Sequence, residues 1–371
     1  MNPRETLTSP RSEASAGNVA GTAARPEAET AAPVISVEDL AIAFPSLDGR
    51  ETVKAVDGVS FAIAPGETFG IIGESGSGKT TIGRALAGLL PPTGGTIRYD
   101  GEDLRGMSRR DWRDRRRRYQ IVFQDPNAAL DPRMTILQSL IEPMKIAGGR
   151  SPEEMKAEAM RNLDRAGLRA ELADRHPHEL SGGQKQRVNI ARVLPLNPRL
   201  IVCDEVVAAL DVSIRGEILN LFAELQREFG IAYAFIAHDL AIVAQVSDRI
   251  AVTYLGRFME LGPAEAVTER PLHPYTAALL SAEPRPLPAH LRAPRRIELK
   301  GEIPSPVNPP SGCRFRTRCP HAQGLCAQQA PEWREVRPGH HVACHFAGPD
   351  GLVEHASQQS SAKTDTGGDH R

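Results

Sequence analysis

Apolar and polar residues alternate along residues 34–44 and again along 53–63, the period-two pattern of strands with one buried face. Residues 68–72 form a short unbroken apolar run, which suits a parallel strand covered on both faces. The period then lengthens. Residues 80–90 predict a helix stopped by Pro91, Pro92 and Gly94, and residues 97–99 a strand ending in an Asp100-Gly101 turn. From about residue 108 to 180 the spacing is helical. Within it, Ser151-Pro152-Glu153-Glu154 forms a capping box with proline at the first helical position, and Gly167 is placed to end the same helix. Strands return at 200–203, 232–237 and 249–253 with helical stretches between them. Strand–helix alternation on both sides of a helical stretch predicts an α/β core with an inserted helical subdomain.

Composition changes this picture mainly at the ends. Residues 1–33 and 351–371 are poor in large apolar side chains and read as disordered segments. Residues 284–310 are proline-rich and mark an interrupted region beyond the core. No stretch approaches the roughly 20 apolar residues that span a bilayer, and residues 1–17 are too polar for a secretory signal. The expectation is a cytoplasmic protein that reaches a membrane only through a partner. A net charge of -1 over 371 residues argues against bulk attraction to nucleic acid. Arg109, Arg110, Arg113 and Arg115 to Arg118 form a basic run, but Asp111 and Asp114 interrupt it at helical spacing, which suits a solvated face.

Gly73-Glu74-Ser75-Gly76-Ser77-Gly78-Lys79-Thr80 fits G-x-x-x-x-G-K-[ST] between an apolar strand and a helix that continues with Thr81. Glycines let backbone amides wrap a phosphate chain, and the helix N-terminus adds positive potential. Lys79 can reach the outer phosphates and the Thr80 hydroxyl can ligate Mg²⁺. The apolar strand ending in Asp204 and Glu205 puts two carboxylates where open α/β sheets bind nucleotides. Asp204 suits Mg²⁺, and Glu205 can polarise an attacking water. His238, after another apolar strand, is placed to contact a γ-phosphate. Leu180-Ser181-Gly182-Gly183-Gln184 opens a second helix with an anion-binding turn. One phosphate loop already satisfies one ATP, so this second turn implies a second ATP held by another subunit.

That last segment resembles the LSGGQ signature of ABC ATPases, and the other family motifs occur in order. Gln124 matches the Q-loop, Asp204 and Glu205 the Walker B pair, Asp211 the D-loop, His238 the switch histidine, and Phe44 an aromatic for adenine. The resemblance, over about residues 34–346, implies a RecA-like P-loop ATPase core with an N-terminal antiparallel β-subdomain and the inserted helical subdomain, spanning 34–262. Residues 263–350 would then be a C-terminal extension. Val53 to Phe61, Asp131 to Thr135 and His273-Pro274-Tyr275-Thr276 are similar to the oligopeptide/dipeptide importers, and within them to the F-type ATPase. This implies a heterodimer with a paralogous D-type ATPase, two permease subunits and an extracytoplasmic binding protein, at the cytoplasmic face of the inner membrane, with no nucleic-acid role. Cargo stays open among oligopeptides, dipeptides, cell-wall peptides and nickel chelates. Exporters and non-transport ABC ATPases are the rival readings. Ala208, Val206, Val207 and Pro195 depart from the family pattern, and Pro195 is expected to end its helix early.

Four of the five cysteines, Cys313, Cys319, Cys326 and Cys344, crowd into one stretch. Clustered thiols in a reducing compartment suggest a metal site rather than disulfides. The resemblance implies a possible 4Fe–4S cluster. Zinc, with His321, His340, His341 or His345 as substitute ligands, and no metal at all remain alternatives. Cys203 lies in an apolar strand and reads as a small core residue.

Overall fold

The computed structural model describes residues 32–46, 49–103, 107–282 and 296–352; the predicted disordered segments lie almost wholly outside them, as does the first part of the proline-rich region. The chain begins with β1 (Ile35–Pro45), β2 (Thr52–Ile63), β3 (Thr68–Ile72), α1 (Lys79–Leu86), β4 (Gly94–Tyr99), β5 (Glu102–Asp103), α2 (Arg109–Arg116) and β6 (Tyr119–Val122). A helical stretch follows with α3 (Ile136–Ala147), α4 (Pro152–Arg165) and α5 (Gly182–Val193). The core resumes with β7 (Leu200–Asp204), α6 (Val212–Phe229), β8 (Ala232–Ala237), α7 (Leu240–Val246), β9 (Arg249–Tyr254) and β10 (Arg257–Pro263). Beyond it come α8 (Ala264–Glu269), α9 (Pro274–Ala282), α10 (Gly324–Gln328), β11 (Arg334–Arg337) and β12 (His340–Val342).

Among the described residues, a four-stranded antiparallel sheet of order β2-β1-β4-β5 packs against an eight-stranded sheet of order β11-β12-β10-β9-β3-β8-β7-β6. In the larger sheet β6, β7, β8, β3 and β9 are parallel, and every residue of β3, β7 and β8 is buried. Period-two geometry divides their side chains between two cores. Phe69, Ile71, Leu200, Val202, Ala234 and Ile236 join the core beneath the antiparallel sheet. Ile72, Ile201, Cys203, Tyr233 and Phe235 join the core shared with the helical layer. That double coverage explains why the parallel strands read as unbroken apolar runs.

Two expectations are corrected. Residues 108–180 are not helical throughout: β6 lies inside that stretch and pairs in parallel with β7. Four residues beside an arginine run offer too short a pattern to betray a strand. The helix after the phosphate loop ends at Leu86 rather than residue 90, because Gly88, just past the Ala87 C-cap, turns into the left-handed region (φ 64°), where a side chain would also meet the Trp112 indole. The C-terminal extension is built onto the core, since β12 pairs with β10 and carries the main sheet past residue 262. Buried Glu260 on β10 seals this joint. It accepts the backbone N–H groups of Leu272 (2.7 Å) and His273 (2.9 Å) and meets His340 Nε2 at 2.7 Å. Burial pushes His273 down to about 3, and its Nδ1 accepts the Tyr275 N–H, as a neutral ring must.

Pro195 acts as expected. Helix α5 stops at Val193 and a 3₁₀ turn, Leu194–Leu196, follows it. Ser181 and Gln184 cap the start of α5 reciprocally, as Ser151 and Glu154 cap α4. No helix among the described residues is long and apolar enough to cross a membrane.

Candidate nucleotide site

The phosphate loop leaves β3 at Gly73 and enters α1 at Lys79. Two of its glycines are obligatory on steric grounds. A Cβ at Gly73 (φ 154°) would lie 2.2 Å from the Thr253 carbonyl oxygen, and one at Gly78 (φ 101°) 2.3 Å from that of Ala55. The loop is suspended from strands distant in sequence. The Thr253 hydroxyl (3.0 Å) and the Gly256 amide (2.9 Å) both donate to the Ser77 carbonyl. No side chain caps α1, so its first amides are left for an anion, and Ser75 and Gly76 are exposed above them.

Lys79 folds back onto the loop. Its Nζ donates to the carbonyls of Gly73 (2.8 Å) and Glu74 (3.0 Å) and lies 3.3 Å from His238 Nδ1. Burial pushes its ammonium down to about 8, against the opposing pull of Glu205, Asp204 and Glu74. The Thr80 hydroxyl donates to Asp204 Oδ1 at 3.1 Å, and burial raises the Asp204 carboxyl above its usual range. Thr81 continues α1 behind them.

Glu205 follows β7 in the left-handed region at φ 54°, unusual for a non-glycine residue. Its amide donates to the Ile236 carbonyl of β8 at 2.9 Å, which fixes the turn, and its carboxylate contacts His238 Nε2. The structure thus gathers Lys79, Thr80, Asp204, Glu205 and His238 at the carboxyl ends of β3, β7 and β8. Gln124 joins them by lining a groove of about 1060 Å³ that Thr80 and Asp204 also line. Hydroxyl, carboxylate and amide oxygens are the hard donors that Mg²⁺ takes, so the residues present fit that ion.

The signature turn lies apart from this cluster. Ser181 and Gly182 are exposed at the start of α5, which packs on α3 and α4, whereas α1 packs on β7 and β8. Gly183 and Gln184 are half-buried behind them. Asp211 is exposed at the N-cap of α6 and makes no capping bond with its side chain. Arg215 holds the preceding turn by donating to the Leu210 carbonyl at 2.8 Å, and Val206 and Val207 are buried in the core, so the departures at 206–208 are accommodated. Phe44 is half-buried on β1 and paired with Val53, two residues before the Ala55 carbonyl that backs Gly78.

Two contacts to the loop carry no signal in the sequence. The Glu74 amide donates to the Tyr275 hydroxyl at 2.9 Å, and Arg318 meets the Glu74 carboxylate with both guanidinium arms, at 2.5 and 3.1 Å. Both partners come from beyond β10, more than 200 positions along the chain, where no local pattern reports a contact.

Cys313, Cys319, Cys326 and Cys344 border one small cavity of about 20 Å³, together with His273, His321 and His345. Burial pushes the Cys313 thiol up to about 11 and the Cys319 thiol up to about 12. A cavity this size holds about one water, and among the described residues no three His, Cys, Asp or Glu side chains are grouped to hold a metal ion. The arrangement as it stands therefore gives an iron–sulfur cluster no preformed seat. His340 and His341 are elsewhere: the first is committed to Glu260, and the second stacks on Trp333. Cys203 is fully buried in β7 with its thiol pushed well up, as a core residue.

A phosphate loop, two acids at a strand end and a second capped glycine turn on a separate helix define an ATP-binding cassette. Residues 56–208 match the ABC transporter family, and residues 259–326 match the C-terminal region of oligopeptide/dipeptide transporters. The chain is 50% identical over 295 residues to the oligopeptide transport ATP-binding protein AppF of Bacillus subtilis, covering 79% of this chain and 90% of that protein. It is 47% identical over 306 residues to OppF of Salmonella typhimurium, an oligopeptide transport ATP-binding protein, covering 80% and 92%. Its fold is similar to a dimeric post-hydrolysis structure of the ATP-binding cassette MJ0796 bound to ADP and Pi, with TM-score 0.57 and 30% identity over 62% of this chain and 98% of that one. The chain belongs to the ATP-binding subunits of ABC transporters, in the group that carries the oligopeptide/dipeptide C-terminal region, and it is an ATPase.

Proposed function

We propose that this chain energises import of peptides across the cytoplasmic membrane, working on its inner face with permease subunits and an external binding protein. The observation that carries the reading is the convergence of Lys79, Asp204, Glu205 and His238 below an open phosphate loop, in a chain nearly half identical to peptide-transport ATPases. ATP would lie with its phosphates on the amides of residues 73–80 and its adenine against Phe44. Mg²⁺, held by Thr80, Asp204 and Gln124, would neutralise charge on the outer phosphates. Lys79 then turns from its carbonyl partners to the phosphates. Glu205 orients the attacking water, and His238, already in contact with it, donates to the γ-phosphate as charge develops.

Ser181, Gly182, Gly183 and Gln184, with Asp211, would cover the ATP of a second ATPase, a paralogue of D type. That ATPase would cover the one held here. The groove lined by Phe123, Gln124, Trp112 and Ile146 would receive the permease. Within this scheme residues 34–262 act as the ATPase domain and 263–350 as its extension. A thiol-ligated group there, 4Fe–4S or zinc, would have to draw the four thiols closer than they now stand, its charge taking the protons from Cys313 and Cys319, which burial otherwise keeps neutral. Iron, sulfide and zinc analysis of anaerobically purified chain checks this, and absence of all three rejects it.

The functional test is peptide uptake in cells lacking this chain. Wild type restores uptake and Glu205→Gln does not. Restoration of another cargo, with peptides unaffected, would overturn the peptide assignment.

A further inference from the structure

Glu74 is a carboxylate on the rim of a loop built to hold a polyanion. Left bare, it would repel the phosphates it borders. The fork of Arg318 answers it, with the arginine side chain 8% exposed and the glutamate 24%. The segment that carries Arg318 is tightly held. Its amide donates to the Phe315 carbonyl, and the Cys313 amide to the Cys326 carbonyl at 2.8 Å. Its guanidinium lies 5.9 Å from the Tyr254 ring, and Tyr254 packs edge to face on Tyr275 and Phe315, which meet each other at a tilt. Four residues earlier in the same turn Arg314 meets Asp57 and the Leu255 carbonyl, beside the Gly256 amide that holds Ser77. The extension therefore grips the phosphate loop directly through Arg318 and Tyr275, and indirectly through Arg314.

We propose that Arg318 is a positioning residue of the ATP site. With Tyr275 it pins Glu74 and cancels its charge, so that the C-terminal extension sets the affinity of the phosphate loop for the triphosphate. The inference rests on the reading of residues 73–80 as the ATP site.

The test uses the full-length chain carrying Glu205→Gln, titrated with Mg-ATP at low and high salt, each variant first checked by thermal melting. Arg318→Met leaves a bare carboxylate and weakens binding about tenfold at low salt, near 1.4 kcal/mol. The loss shrinks as salt rises, because exposed repulsion is screened. Arg318→Lys keeps most of the affinity. Glu74→Gln, which leaves the guanidinium in place, binds within roughly threefold of the parent or tighter. Adding Glu74→Gln to Arg318→Met recovers affinity, where a merely structural role predicts further loss. Equal binding by the parent and Arg318→Met, or a double variant weaker than Arg318→Met, overturns the proposal. If Arg318→Met does not fold, tenfold weaker binding by Glu74→Gln alone overturns it, and retained binding supports it. Failure of the parent to bind ATP at all would instead reject the site reading beneath it.

Discussion

Glu205 occupies a left-handed backbone conformation that costs on the order of 1–3 kcal/mol and persists only where its surroundings enforce it. Here the Ile236 carbonyl enforces it, and the result is a carboxylate delivered to His238. Glu205→Gln keeps the size and the turn but loses the base. Expected is ATP affinity close to wild type with hydrolysis in the assembled transporter reduced at least about a hundredfold, measured by phosphate release. Lys79 makes a pH prediction. Its folded-state value of about 8 lies below the ordinary lysine range, so the unfolded chain binds more protons between about 8 and the ordinary range, and stability rises with pH across that window. Bound phosphates favour the charged form. ATP binding at pH 9 should therefore take up close to one proton, should weaken as pH rises past 8, and should lose that uptake in Lys79→Met. Calorimetry in two buffers of different ionisation enthalpy reads it directly. The motif residues were legible because each phosphate-handling group lies within a few positions of its neighbours. The fork of Arg318 on Glu74 was not, because nothing in either residue's surroundings along the chain encodes the other.

At the scale of elements, the site depends on how closely α1 lies on the sheet. A Cβ at Gly83 would meet Ile236 Cδ1 at 2.5 Å and Val202 Cγ1 at 3.0 Å, so the helix rests on β7 and β8 through a bare backbone. Gly83→Val should cost about 1–3 kcal/mol as overpacking and weaken ATP binding, since Lys79 and Thr80 ride on the first turn of the same helix. Thermal melting with and without Mg-ATP separates the two effects. Periodicity revealed β3, β7 and β8 because two covered faces demand unbroken apolar runs. It missed β6, whose four residues take their strand conformation from pairing with β7 rather than from any pattern of their own.

For the molecule as a whole, β12 covers the outer edge of β10, and His340 on β12 is one of the partners of buried Glu260. Removing residues 329–371 takes away β11, β12 and that partner together. An open strand edge and a less satisfied buried carboxylate should lower the melting temperature and promote association. Light scattering and melting of the truncated chain check this. Any loss of ATP affinity in that variant should be smaller than in Arg318→Met, since Arg318 and Tyr275 remain.

The sequence by itself determined the chemistry and the class: the phosphate loop, the Asp204–Glu205 pair, the signature turn at Ser181 and the alternation of strands and helices are local patterns imposed by backbone geometry and by burial. Only the tertiary structure decided which distant groups close on those patterns. It laid β6 and β12 into the sheet, gathered the cysteines around one cavity, and set Tyr275 and Arg318 on Glu74. The reason is physical. Local spacing is dictated by the period of a helix or strand, whereas a contact across more than 200 residues is dictated by the packing of whole layers, which no short stretch of chain contains.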